Sequence, residues 1–256
     1  MNVISKTTAT AEQAPRLWNT RYGLTTAVPL DSSAARSLQL YGEWAEQEID
    51  LLSSLIQDGQ SVLEFGGDYG AHALWLGLAV GETGQVHVAE PRRLLFQQMC
   101  ANVALNGLTN VYTHARWLGR CKGQAALSSL PGNTVHKTNN DEIVNTLTVD
   151  ELELDALHLM KINVPGSMID LLAGAAETVR KYRPIIYARL AGIEHAEAEI
   201  QALKDLGYRC WSHVPYLYNS NNHAEQTSNI FPGCVSQNVI ASPVEGRFEL
   251  EARHEL

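Results

Sequence analysis

The sequence predicts an α/β fold: a mostly parallel sheet with helices on both faces and an antiparallel C-terminal edge. Three observations predict it. Short apolar runs alternate with helix-period segments from Ser61 to Leu206, which is the rhythm of strands joined by crossover helices. Glycine, Asn-Gly or proline closes most of these segments. The last two apolar runs, Tyr208 to Val214 and Val235 to Ala241, are separated by a long polar loop with no helical pattern.

The elements follow in order. Leu38, Tyr41, Ala45, Ile49, Leu52 and Ile56 recur every three or four residues, the stripe of an amphipathic helix, with a break expected at Gly42. Ser61 to Phe65 reads as the first core strand and ends in Gly66-Gly67-Asp68-Tyr69-Gly70. A helix follows over His72 to Val80, then a strand over Val86 to Ala89. Leu94 to Leu105 is helical, stopped by Asn106-Gly107. Val111 to His114 is a third strand. Leu118 to Thr146 is rich in Gly, Asn and Ser and reads as an irregular excursion with one hairpin. Leu157 to Val164 is a fourth strand. Ser167 is placed to cap a helix reaching Arg180, which must end before Arg183-Pro184. Ile185 to Leu190 is a fifth strand, and Glu194 to Leu206 a helix closed by Gly207. The chain divides into an N-terminal tail and approach segment (1–30), one domain (31–243) and a charged tail (244–256).

Composition narrows the function. The 256 residues are 45% apolar and 18% charged, ordinary for a globular chain. The net charge of −9 argues against tracking a nucleic-acid backbone, which needs many Lys and Arg. The longest strongly apolar stretch, Ala73 to Val80, is far below the ~20 residues that span a bilayer. The N-terminus lacks the apolar core of a signal peptide. Cys100, Cys121, Cys210 and Cys234 show no zinc spacing, and the nine histidines form no HxH or HExxH, so no metal is expected. These features together suit the cytoplasm.

In open α/β sheets ligands bind at the carboxyl ends of the strands. The turn after Phe65 is glycine-rich, and glycine lets the backbone bend sharply and approach a ligand. Glu90, 26 residues beyond Glu64 at the next strand end, is placed to accept hydrogen bonds from a ribose diol. There is no GxGxxG for a pyrophosphate. Glu64, just before the turn, disfavours phosphate and suits a cationic ligand, or else is a buried structural acid. S-adenosylmethionine carries an amino group, a sulfonium and a ribose diol and no phosphate, which matches this set.

The chain resembles the FkbM-type methyltransferases. The resemblance runs through Ser37-Leu38-Gln39-Leu40-Tyr41-Gly42-Glu43-Trp44, the glycine loop, Glu90-Pro91 and Cys100 to Val111. It continues in Leu159 to Gly166, Gly174 to Thr178, Arg183-Pro184, Leu217-Tyr218-Asn219 and Asn229-Ile230-Phe231. It implies a Rossmann-like class I methyltransferase fold with a seven-stranded sheet and an N-terminal helical lid. It further implies S-adenosylmethionine as cofactor and O-methylation of a sugar or natural product, the acceptor being a small molecule, glycan or peptide. Carried over, Glu64, Gly66, Gly67, Asp68 and Gly70 line the methionine end, with His72 adjacent. Glu90 and Pro91 hold the ribose, and Tyr41 and Glu43 lie near cofactor or acceptor. Asn102 and Asn106 fix local geometry.

The chain departs from the family at two strand ends. The usual Lys-Ile-Asp-Val-Glu-Gly reads Lys161-Ile162-Asn163-Val164-Pro165-Gly166, and a customary glutamate ending the next strand is replaced in Tyr187-Ala188-Arg189. An amide neither takes a proton nor carries charge. Asn163, Lys161, Glu43 and His213 are therefore the catalytic candidates, with Glu43 or His213 as a substitute base. An Asn163 aimed at an amine or amide would instead mean N-methylation. A catalytically degenerate cofactor-binding or scaffold protein is the remaining reading. Arg189 is either a donor to an anionic or carbonyl-bearing acceptor or a surface residue.

Overall fold

The structure is a computed structural model; it describes residues 16–27, 32–131, 141–246 and 255–256. The expected N-terminal tail and most of the charged C-terminal tail fall outside the described residues. A hairpin, β1 (Trp18–Thr20) and β2 (Gly23–Thr25), precedes α1 (Ser33–Tyr41) and α2 (Glu46–Ser53). The break falls where the sequence places it: Gly42 caps α1 with φ 66°, a left-handed turn that favours glycine. Ser32 caps the other end, its hydroxyl accepting from the Ala35 amide at 3.1 Å.

The core elements are β3 (Ser61–Phe65), α3 (Ala71–Ala79), β4 (Gln85–Ala89), α4 (Arg93–Leu105) and β5 (Val111–His114). The excursion folds as β6 (Trp117–Leu118), β7 (Gly123–Ala126) and β8 (Ile143–Leu147), a small sheet in the order β6-β8-β7 with β7 and β8 antiparallel. Then come β9 (Leu159–Ile162), α5 (Met168–Ala173), α6 (Ala176–Tyr182), β10 (Ile185–Arg189), α7 (Ile193–Asp205), β11 (Tyr208–His213) and β12 (Asn238–Pro243).

The single helix expected from Ser167 to Arg180 is two helices. Gly174 interrupts it, where a Cβ would meet the Gly119 carbonyl oxygen at 2.0 Å. Asp150 starts the second piece, accepting from the Thr178 amide at 2.8 Å and the Glu177 amide at 3.2 Å. Ser167 stands at the N-cap position of α5 but its side chain makes no capping bond; its hydroxyl donates to the Val164 carbonyl at 2.7 Å.

Among the described residues seven strands form the main sheet in the order β11-β12-β10-β9-β3-β4-β5. All run parallel except β12, which is antiparallel to both β10 and β11. The reversed strand is thus one place inside the edge, slotted between β10 and β11. Each sheet face buries its own core. Val62, Val86, Val88, Leu159 and Ile240 pack with α1 to α4 through Leu38, Leu52, Leu74 and Val103. Leu63, Phe65, Met160, Ile162 and Ile186 pack with Leu171, Val179 and Leu203 on the other side. Strands covered on both faces read as continuous apolar runs, which is why β3 shows no alternation although its side chains alternate. Among the described residues no helix is long and apolar enough to cross a membrane.

Candidate functional site

The carboxyl ends of β3, β4, β9 and β10 open into a cleft of ≈ 590 Å³. Its walls are Gly66, Asp68 and Tyr69 after β3, Glu90 to Arg92 after β4, Asn163 to Pro165 after β9, and Arg189 to Gly192 after β10. Ser32 to Ala34, Trp44, Leu217 and Val235 to Gln237 close it from above. A pocket of ≈ 20 Å³, about the room of one water, lies beside it against Glu64, Gly66, Gly67, His72, Asn163 and Arg189.

The glycine turn is required by its geometry. Gly66 sits at φ 86° and Gly70 at φ 83°, backbone that resists a side chain. A Cβ on Gly66 would meet Val164 at 2.7 Å, and one on Gly67 would meet Val88 at 2.5 Å.

Beneath the turn lies a row of buried polar groups. Strand register places Glu64 beside Lys161, Lys161 beside Tyr187, and Asn238 beside both Arg189 and His213. Glu48, from α2, covers the row. Lys161 has no exposed surface, and its ammonium lies 3.6 Å from Glu48 and 3.4 Å from Glu64. It also donates to the Asn163 amide oxygen. The Asn163 amide nitrogen donates to Glu64 at 2.8 Å and to the Gly66 carbonyl at 3.0 Å. Arg189 reaches Glu48 at 3.1 Å. Two cations and two acids thus balance, and Asn163 joins them without adding charge. Burial pushes the Glu48 carboxyl up, but Lys161 and Arg189 outweigh it and hold it down at about 2. Burial wins at Glu64, whose carboxyl is raised despite Lys161 and Asn163.

Three atoms of this row are orphaned among the described residues: Arg189 Nε, Asn238 Oδ1 and Glu64 Oε2. Glu64 Oε2 is buried and has no hydrogen-bond partner, an expensive state for a carboxylate oxygen. Glu64 lines the small pocket, so a cation entering beside Gly66 and Gly67 would satisfy it. This fits the ammonium of S-adenosylmethionine and is hostile to a phosphate.

Glu90 also borders the cleft but is fully engaged. Its carboxylate accepts from the Asp68 amide at 3.0 Å, the Arg92 amide at 2.9 Å, and Arg92 Nε and Nη2 at 2.7 and 2.8 Å. Arg92 also pairs with Asp68, whose φ of 49° is unusual for a non-glycine residue. A ribose diol would take the place of this guanidinium on Glu90. Pro91 lines the same wall.

The remaining candidates are placed elsewhere. The Glu43 carboxylate accepts from Arg21 at 2.8 Å, Asn219 at 2.9 Å and the His223 amide at 2.9 Å, and it does not border the cleft. The Tyr41 hydroxyl donates to the Ser228 carbonyl at 2.8 Å and accepts from the Ile230 amide at 2.7 Å. Both residues hold the loop between β11 and β12 onto the N-terminal segment. His213 is buried, 2.8 Å from the Tyr187 hydroxyl, and lines neither cavity. His72 lines the small pocket, bonds the Trp44 carbonyl at 2.8 Å, and is pushed down to about 3, chiefly by burial. Asn102 links Thr26 to the Tyr69 carbonyl, and Asn106 ties down Leu24. Sequence reasoning missed Glu48 and Arg92. The signals were there: Glu48 lies on the apolar stripe between Ala45 and Leu52, and Arg92 follows Glu90-Pro91 directly.

Comparison with known proteins agrees with this geometry. Residues 68–210 match the Methyltransferase FkbM domain. The chain aligns with the methyltransferase FkbM from Methylobacillus flagellatus KT at 13% identity and a TM-score of 0.50, over 73% of this chain and 44% of that one. It therefore spans less than half the length of that protein. It aligns with precorrin-6y C5,15-methyltransferase from Geobacter metallireducens GS-15 at 10% identity and a TM-score of 0.52, over 77% and 86% of the two chains. Such identities speak to the fold. No curated protein matches the chain.

Proposed function

This chain belongs to the FkbM methyltransferase family, and from that premise we propose that it is an S-adenosylmethionine-dependent O-methyltransferase. Its acceptor is a small molecule of the sugar or natural-product class, and it works in the cytoplasm. The observation that carries the reading is the orphaned Oε2 of Glu64, a residue lining a small pocket that shares walls with the strand-end cleft. The cofactor supplies an activated methyl group on a cationic sulfur. The protein's part is to bind and orient. Glu64 holds the ammonium, positioned by Lys161 and Asn163. Gly66 and Gly67 keep the backbone close, and Glu90 takes the ribose. Asn163 favours O- over N-transfer, because both its N–H donors are spent on Glu64 and Gly66 and its oxygen is turned to the buried Lys161 rather than to an acceptor nitrogen.

Calorimetry tests the reading. The wild type should bind S-adenosylmethionine, and Glu64→Gln should weaken binding about 10-fold, the loss of one charge-assisted hydrogen bond. Equal affinity in the two proteins would remove Glu64 from the site. Tight binding with no methyl transfer across a wide acceptor panel would favour the scaffold reading.

A further inference from the structure

A hydroxyl acceptor must lose a proton, and among the described residues the cleft offers nothing free to take it. Glu64 is committed to Lys161 and Asn163 on one oxygen and, on the reading above, to the cofactor ammonium on the other. Asp68 is paired with Arg92, and Glu90, paired with Arg92 in this structure, is taken by the ribose on the reading above. Asn163 and Pro165 stand at the end of β9 without a carboxylate. His72 bonds a backbone carbonyl and stays neutral far below physiological pH, so it is a weak base. Glu43 and His213 do not border the cleft.

The same cleft does present a cation. Arg189 ends β10 and lines both the cleft and the small pocket. Its side-chain hydrogen bonds both leave from Nη2, to Glu48 at 3.1 Å and Ser236 at 3.2 Å. Its Nε is buried and has no partner among the described residues. A guanidinium pinned at one nitrogen with donors to spare is matched by a planar carboxylate. Near Arg189 the wall also carries apolar side chains, Leu190, Leu217 and Val235, and Ile193, next in sequence to the lining Gly192, is 84% exposed.

We infer that the acceptor is an amphipathic carboxylic acid, held by Arg189 and methylated on its carboxylate to a methyl ester. The inference rests on the methyltransfer reading above and deepens it. It explains the missing base, because a carboxylic acid is already ionised at neutral pH. One carboxylate oxygen bonds to the donated methyl carbon, the carbon–sulfur bond breaks, and its electron pair stays on sulfur. No proton moves. The acceptor's negative charge also balances the net positive charge of the donor, so the cleft gains no net charge.

The test uses the full chain loaded with S-adenosylhomocysteine. The probes are para-hydroxybenzoate and omega-hydroxydodecanoate, each beside its own methyl ester, with affinities read by calorimetry. At least one acid should bind about 10-fold more tightly than its ester, and Arg189→Gln should erase that preference. Arg189→Lys, which keeps charge but loses the fork, should reduce it, and serves if the glutamine variant melts early. With labelled S-adenosylmethionine, transferred methyl should be released by mild base, as an ester is, and not retained as an ether. Absence of acid preference for both probes, a preference that survives both Arg189 variants, or base-stable label overturns the inference. Failure of the wild type to bind S-adenosylhomocysteine would instead overturn the methyltransfer reading.

Discussion

Replacing Lys161 with methionine would leave two buried acids with one fewer cation between them. Glu48 keeps Arg189 at 3.1 Å, so the stranded group is Glu64, 1% exposed and 3.4 Å from the lost ammonium. Removing one partner of a buried ion pair costs about 3–5 kcal/mol. A second route gives a similar figure. Glu64 can escape by taking a proton, and holding a carboxyl protonated at pH 7 against an ordinary value near 4.5 costs about 3.4 kcal/mol, at about 1.4 kcal/mol per pH unit. For a chain of this size each kcal/mol moves Tm by roughly 2–4 °C, so Lys161→Met should melt about 10 °C early. Urea titration should show a lower midpoint at unchanged slope. The double variant Lys161→Met/Glu64→Gln should recover most of the loss, and the deficit of the single variant should shrink as pH falls towards 5. A Lys161→Met protein within about 1 kcal/mol of wild type, or a double variant no better than the single one, would refute the picture of a balanced buried cluster.

Two further outcomes follow from the same geometry. Arg92→Ala should lower stability, because Glu90 is buried and loses its counter-charge. It should also strengthen cofactor binding, because the acid is freed for the ribose; a larger cofactor-induced rise in Tm than in wild type is the check, and a smaller one sinks it. His72 is held down to about 3, whereas the unfolded chain takes up the proton near 6.5. The unfolded state therefore binds the extra proton between those values: stability is full above about pH 6.5 and falls as pH drops towards 3. Between pH 7 and 5 the wild type should lose about 2 kcal/mol more than His72→Gln in urea melts; parallel losses would contradict it.

The fold was legible because its signals are local. The Gly42 break, the glycine turn and the Asn106-Gly107 stop each fall where the sequence places them. The split at Gly174 was not legible, since its causes, Gly119 and Asp150, are distant in sequence. At the site, the loop residues Gly66 to Gly70 and the acids at 64 and 90 can be read from strand-end position alone. What Glu43 and Tyr41 do cannot. Their partners lie nearly two hundred residues away, and one sequence does not say which of its polar groups will meet. The Tyr41-Gly42-Glu43 run and the Leu217-Tyr218-Asn219 and Asn229-Ile230-Phe231 segments all resemble the family, and in the structure they meet one another. Tyr41 contacts Tyr218 and Phe231 edge-on at 5.3 and 6.1 Å, and Glu43 takes Asn219.

The position of β12 has a consequence for biosynthesis. It is the last strand of the main sheet to leave the ribosome, yet it lies inside the sheet, between β10 and β11. Until it arrives, β10 shows an open edge and β11 has no ladder partner among the described residues. A nascent chain therefore carries these exposed edges from the completion of β10 until β12 emerges, the condition under which sheets capture the wrong neighbour. Insertion of this late strand seals the sheet and also draws Val235 to Gln237 into the wall of the cleft, so a stalled or shortened chain lacks both at once.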